Sequence, residues 1–312
     1  MFDSPSTRQC NKFMLETIFE PLQYAFMQRS LVVAVIVGVI CAVVGSYLMV
    51  QRLALLGDAI SHSVLPGLAF AYLVGANIFL GAFIAGIIST IFINLISTRS
   101  NIKEDTAMGI VFSAFFALGI TLITVVQKDN KIDLNHFLFG NILAVDSSEV
   151  RDTLIIAGIV LTVVFLLYKE LLFYTFDKLG AQAVGLPVGL LDLGLMMLIG
   201  LTIVASLKAV GVVLVLSLLI TPAATAYLLV NRLHLVMLLG VIIGVASSIT
   251  GMYLSYYYNL PSGPAIVLVA SALFVLAFLF SPSQGLLTNP NASVGQSTLI
   301  TEIKGLFGKS KV

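Results

Sequence analysis

The sequence predicts an all-α, polytopic integral membrane protein with eight or nine transmembrane helices. Three observations carry that prediction. The chain of 312 residues is 59% hydrophobic, with a mean hydropathy of +1.08. Only 10% of it is charged, against about 25% in soluble domains. Its apolar stretches are also about 20 residues long, the length that crosses a ~30 Å hydrocarbon core as helix. They lack the apolar/polar alternation of an outer-membrane barrel.

Residues 1–28 form an N-terminal tail, polar at first. Its second half (MLETIFEPLQYAFMQ, 14–28) mixes apolar and charged positions and suits an interfacial helix. Nine apolar segments follow, at about 30–50, 59–75, 78–98, 106–127, 152–172, 189–207, 210–230, 235–257 and 263–281. Together they make a membrane domain over 29–282. The first is too long for a signal-peptide core and has no small-x-small site after it, so it reads as a retained span. The second is short and interrupted by Pro and Gly, which leaves a count of eight open. Residues 128–151 form the longest connection and contain His136 and an apolar stretch, HFLFGNILAV. A surface loop is the ordinary reading there, with a partly re-entrant one beside it. Residues 283–312 form a polar C-terminal tail. Its GKS at 308–310 is not a phosphate-binding loop, because Ile303 stands where that pattern needs glycine.

A net charge of +1 gives no reason to expect a nucleic-acid partner. The two cysteines, Cys10 in the tail and Cys41 in the first span, are too few and too far apart in kind for a thiolate metal site. Balanced Lys/Arg counts leave orientation open.

Three constellations carry chemistry. The first is GDAISHSVLPG at 57–67. Asp58 and His62 are four residues apart, hence one turn apart on one helix face. An acid near the bilayer centre costs about 2.5–3.5 kcal/mol on insertion scales and asks for a functional reason. Carboxylate oxygen plus imidazole nitrogen is a ligand pair for a divalent transition metal. Pro66 cannot donate to the His62 carbonyl and should kink or break the helix there, while Gly57 and Gly67 permit close helix approach. A purely structural Asp–His pair stays open on the residues alone.

The second is YTFDKLGAQAVGLP at 174–187. Asp177 can cap a short helix, Gly185 can end it, and Pro187 stops it continuing. So short a stub cannot cross a membrane; it suits a docking helix or an ordinary loop helix. The third is LSLLITPAATA in the seventh segment. Thr221-Pro222 should break that helix, and Ser217, Thr221 and Thr225 form a hydroxylated stripe suited to packing or pore lining. Of the remaining polar groups, Lys208 and Asp192 read as span-end residues and Tyr256–Tyr258 as an interface belt.

Together GDAISHSVLPG after GSYLMVQRLALL, FDKLGAQAVGLP and LLITPAATA resemble the permease subunits of manganese/zinc/iron ABC importers, the ABC-3 family. The resemblance covers about residues 20–282. It implies a type II ABC importer-like permease in a bacterial cell (inner) membrane, working as a dimer of two copies. It implies a cytoplasmic ABC ATPase dimer docked on 174–187, a coupling segment in which Asp177, Gly180, Ala181 and Gly185 match the family pattern. It implies an extracytoplasmic metal-binding protein that delivers the ion. Asp58 and His62 match the pathway metal ligands, with Pro66, Gly67, Ser217, Thr221 and Pro222 as pathway or kink residues. The chain would then be no enzyme, and would hold no permanent cofactor. Its transported ion would be Mn²⁺, which the VLPG after the histidine favours, with Zn²⁺ or Fe²⁺ as alternatives. The resemblance also puts 174–187 and the C-terminal tail in the cytoplasm and 128–151 outside. A proton-coupled secondary transporter would need more buried acids than the spans show, and an inert scaffold would not explain Asp58 and His62.

Overall fold

The computed structural model describes residues 20–126 and 142–281. Cys10, the larger part of the N-terminal tail, His136 and all but the start of the 283–312 region lie outside them. No strand occurs among the described residues; a short 3₁₀ turn at Pro21–Gln23 is followed by twelve α-helices. They are α1 Ala25–Val50, α2 Ala54–Ser63, α3 Leu65–Val74, α4 Ile78–Arg99, α5 Glu104–Val126 and α6 Ser147–Leu166. Then come α7 Tyr168–Phe176, α8 Lys178–Ala183, α9 Val188–Val210, α10 Val212–Leu229, α11 Leu233–Tyr258 and α12 Ser262–Phe280.

Eight of these helices or helix pairs are long and apolar enough to cross a membrane, α2 and α3 counting together as one span, Ala54–Val74. A ninth crossing is the bent pair α6–α7, with an angle of 68° between its halves. The bend falls at Leu167, where the apolar run of α6 gives way to Lys169 and Glu170. The predicted 152–172 segment is therefore a straight crossing only to Leu166. Beyond it, charged residues turn the chain aside.

Contacts between helix ends define two faces. On one, Gln51 Nε2 donates to Thr175 Oγ1 at 3.4 Å, and Lys178 lies 3.9 Å from Glu104. Ser281 also donates to the Leu228 carbonyl there. On the other, Tyr24 packs against Tyr256 with ring centroids 6.3 Å apart, and Lys208 lies 3.4 Å from Glu149. This sorting requires an odd number of crossings between Tyr24 and Ser281, as nine spans give. The exposed Tyr257 and Tyr258 lie at the Tyr24 face, at the end of α11.

Two packed groups make up the bundle. One is α1 with α10, α11 and α12; the other is α2 and α3 with α4 and α5; α9 touches α1, α2, α4 and α6 and joins them. Close approach uses glycine. A Cβ on Gly67 would stand 2.0 Å from the Gly81 carbonyl oxygen, so α3 and α4 meet backbone to backbone there. Burial of apolar side chains from most of these helices forms one continuous core. In a membrane it acts through packing and shape more than through water exclusion.

The predicted break at Thr221-Pro222 is absent. Pro222 lies inside α10, which runs from Val212 to Leu229. Removing one N–H is tolerated in a membrane helix when neighbouring helices hold the chain, and Pro222 is buried against its neighbours. The break near Pro66 does occur, as a one-residue interruption at Val64 between α2 and α3. The His62 carbonyl is not left open there: the Val64 N–H is directed to it.

Candidate cation site and coupling segment

Asp58 and His62 sit on the second and third turns of α2, which starts at the Gln51 face. At 1.5 Å per residue, Asp58 is about 6 Å and His62 about 12 Å along the span. His62 is thus close to mid-span, and Asp58 is one turn nearer the Gln51 face. His62 Nε2 lies 3.5 Å from Asp58 Oδ1, with the two side chains 23% and 53% exposed. Two aromatic rings fix the imidazole plane. Phe112 and Phe116, one turn apart on α5, meet it edge to face at centroid distances of 5.5 and 5.4 Å. Such contacts are worth about 0.5–1.5 kcal/mol each, enough to hold a ring while leaving its nitrogen edge free to bond.

The carboxylate opens into a small cleft between α2 and α5, lined by Leu55, Asp58, Ala59, Asp105, Met108, Gly109 and Phe112. Sequence reasoning missed Asp105 and the Phe112/Phe116 pair. The i, i+4 phenylalanines in VFSAFFALG were legible as a stripe, but nothing in one segment says which residue of another they will face.

Chemically, the pair can take a cation between its two atoms. Two ligands each about 2.1 Å from one ion stand roughly 3.0–3.5 Å apart, and the observed gap falls there. No group of three or more His, Cys, Asp or Glu with metal-site geometry occurs among the described residues. One chain supplies two donors.

Pro66 and Gly67 follow on α3. Leu65 and Pro66 pack on Gly119 of α5, and Gly67 packs on Gly81 of α4. They shape the helices around the pair rather than joining it. Ser217, Thr221 and Pro222 are elsewhere: α10 meets α2 on its Gly57 side, through Leu216 and Leu219, not at the Asp58 cleft. Thr225, which is 2% exposed, donates to the Thr221 carbonyl at 2.7 Å, a local helix bond.

The coupling segment forms as its residues dictate. Asp177 Oδ1 accepts from the Gly180 N–H at 2.7 Å and caps α8. Gly185 has φ +87°, a left-handed conformation that favours glycine, and lets the chain turn into α9. Ala181 is buried, whereas Phe176, Leu179 and Val184 are 62%, 80% and 73% exposed. A six-residue helix bearing large exposed apolar groups is a knob with its base fixed.

Asp192 is corrected from a span-end residue to a buried one, 9% exposed. Its two oxygens accept from Tyr174 OH and from Asn94 Nδ2, the latter at 2.9 Å. On the opposite face a cavity of about 580 Å³ reaches from Val64 to Asn77, Glu149 and Lys208. It is a vestibule that ends two residues beyond His62.

A bundle of nine crossings, with an acid–imidazole pair at mid-span and a knob at one face, defines a membrane permease. The chain belongs to the ABC 3 transport family, whose model matches residues 23–281. It is 50% identical over 267 residues to the "Manganese transport system membrane protein MntC" of Halalkalibacterium halodurans, covering 86% of this chain and 91% of that one. It is 40% identical over 268 residues to the "Chelated iron transport system membrane protein YfeD" of Yersinia pestis, covering 86% and 90%. Among solved structures, "PsaBC from Streptococcus pneumoniae in complex with Fab" matches with a TM-score of 0.77 and 39% identity. That match covers 87% of this chain and 97% of the other.

Proposed function

We propose that this permease subunit carries Mn²⁺ inward across a bacterial plasma membrane, with ATP hydrolysed by a partner. The single observation that carries the reading is the Asp58–His62 pair: a half-open carboxylate and a ring-caged imidazole, spaced for one ion. Relatives named for manganese transport at about half identity favour Mn²⁺, and the relative named for iron makes Fe²⁺ the alternative cargo. Zn²⁺ is the other alternative, because it binds nitrogen and oxygen donors more tightly than Mn²⁺ does.

Two donors hold an ion too weakly to select it, so a second copy completes the site. Two Asp58 and two His62 give four donors and two negative charges, matching one divalent cation in a medium that penalises net charge. Release stays fast because no thiolate and no closed ligand cage holds the ion. An extracytoplasmic metal-binding protein loads the 580 Å³ vestibule at the Tyr24 face. A cytoplasmic ATPase dimer docks on 174–187, at the Leu179/Val184 knob, so that the Gln51 face is cytoplasmic. The membrane unit is 29–282, with tails 1–28 and 283–312 outside it.

Asp58→Ala and His62→Ala, tested separately for ATP-dependent ⁵⁴Mn uptake in the intact transporter, should each abolish it. Wild-type uptake in both would remove the site assignment. Uptake that survives loss of every candidate ATPase would favour a proton-coupled transporter instead. The only acid well buried in a span among the described residues, Asp192, is engaged by two donors and offers no open relay.

A further inference from the structure

We propose that Asp192 is a positioning residue of the transport cycle: it ties both flanks of α8 to α4, so that displacement of α8 reaches the helices around Asp58 and His62. The proposal rests on the functional reading above.

The geometry is specific. Tyr174 lies two residues before the end of α7, and Asp192 lies in the second turn of α9. The α8 knob is the only helix between them. Tyr174 OH donates to one oxygen of Asp192, so a single bond closes the base of the loop that presents α8. The other oxygen accepts from Asn94, on the last turns of α4. One carboxylate therefore holds three helices together. Tyr174 is fully buried and Asp192 nearly so. Freeing either donor would leave a buried polar group unpaired, at about 1–3 kcal/mol. The three helices should then move as a unit rather than slide past one another.

From α4 the contact continues without a flexible side chain. Gly81 meets Gly67 backbone to backbone, and Gly67 stands five residues after His62. A push on α8 has a stiff path through Asp192, α4 and α3 to the end of α2. Buried side chains, unlike the exposed Lys178–Glu104 pair nearby, are not loosened by salt or water.

The test uses the permease assembled with its ATPase in proteoliposomes. ⁵⁴Mn uptake and phosphate release are measured together, as manganese moved per ATP, alongside the amount of assembled complex. Asp192→Ala should lower that ratio about tenfold and Tyr174→Phe severalfold, with ATP turnover retained. Tyr174→Phe keeps the ring and removes only the hydroxyl, so it addresses a failure of Asp192→Ala to fold. The exchange Asn94→Asp with Asp192→Asn rebuilds an amide–carboxylate pair in reverse and should restore the ratio. A wild-type ratio in Asp192→Ala or Tyr174→Phe overturns the proposal alone. So does an exchange that fails to restore the ratio while the complex assembles normally. Absence of ATP-driven uptake by the wild type overturns the functional reading, and the proposal with it.

Discussion

Two carboxylates lie within the membrane-spanning helices, and their surroundings are opposite. Asp58 is half open, with one histidine nitrogen at 3.5 Å. Asp192 is buried, with both oxygens taken by hydrogen-bond donors. Each has solved the cost of a charge in a low-dielectric medium differently. Asp192 is satisfied permanently by its own chain, which suits a joint that must not let go. Asp58 is left under-coordinated, which suits a group that is satisfied only when an ion passes. Burial and bonding, rather than the mere presence of an acid in a span, separate a mechanical carboxylate from a cation-handling one.

That contrast can be broken in order of effect. Asp58→Asn keeps the shape and removes the charge; uptake should fall on the order of a hundredfold, since ligand-shell changes cost about 10–100-fold. Its thermal midpoint in detergent should be unchanged, because no structural bond is lost. Asp192→Leu should do the reverse to stability. Two buried donors lose their acceptor, at about 1–3 kcal/mol, read as a clearly lower midpoint. Phe112→Leu with Phe116→Leu frees the His62 ring and should raise the KM for manganese a few-fold, about 0.5–1.5 kcal/mol per lost contact. An unchanged KM would mean that the rings pack without orienting the imidazole.

The smallest effect is expected at the mouth of α6, where Asp146 caps the helix and Glu149 completes a capping box. The Ser147 N–H holds the Asp146 carboxyl below its ordinary value of 3.8, helped by the Ser148 and Ser147 hydroxyls. A lowered folded pKa adds stability that is present above about pH 3.8 and lost as pH falls through the lowered value. Asp146→Ala should therefore lower the midpoint slightly at neutral pH, and the difference from wild type should vanish in strong acid.

Much of this was legible in the sequence. Hydropathy located the crossings, and Asp58-x-x-x-His62 announced itself as an anomaly in lipid. Asp177, Gly185 and Pro187 spelled out a capped stub because caps and turns are local chemistry. What stayed hidden was set by other segments. Pro222 was expected to break its helix, yet its neighbours hold the helix straight through it. Asp192 looked like a span-end residue because Tyr174 and Asn94, 18 and 98 positions away, cannot be paired with it by reading along the chain. The fifth crossing looked straight because hydropathy does not show the 68° bend.

The most direct test of the Asp58–His62 assignment is Mn²⁺ binding followed by electron paramagnetic resonance, with the permease in lipid nanodiscs. Free aqueous Mn²⁺ gives a sharp signal that is lost on binding. The wild type should remove about one ion per two chains, as a site of four donors shared by two copies requires, and Asp58→Asn should remove none. Equal binding by the two proteins would contradict the assignment.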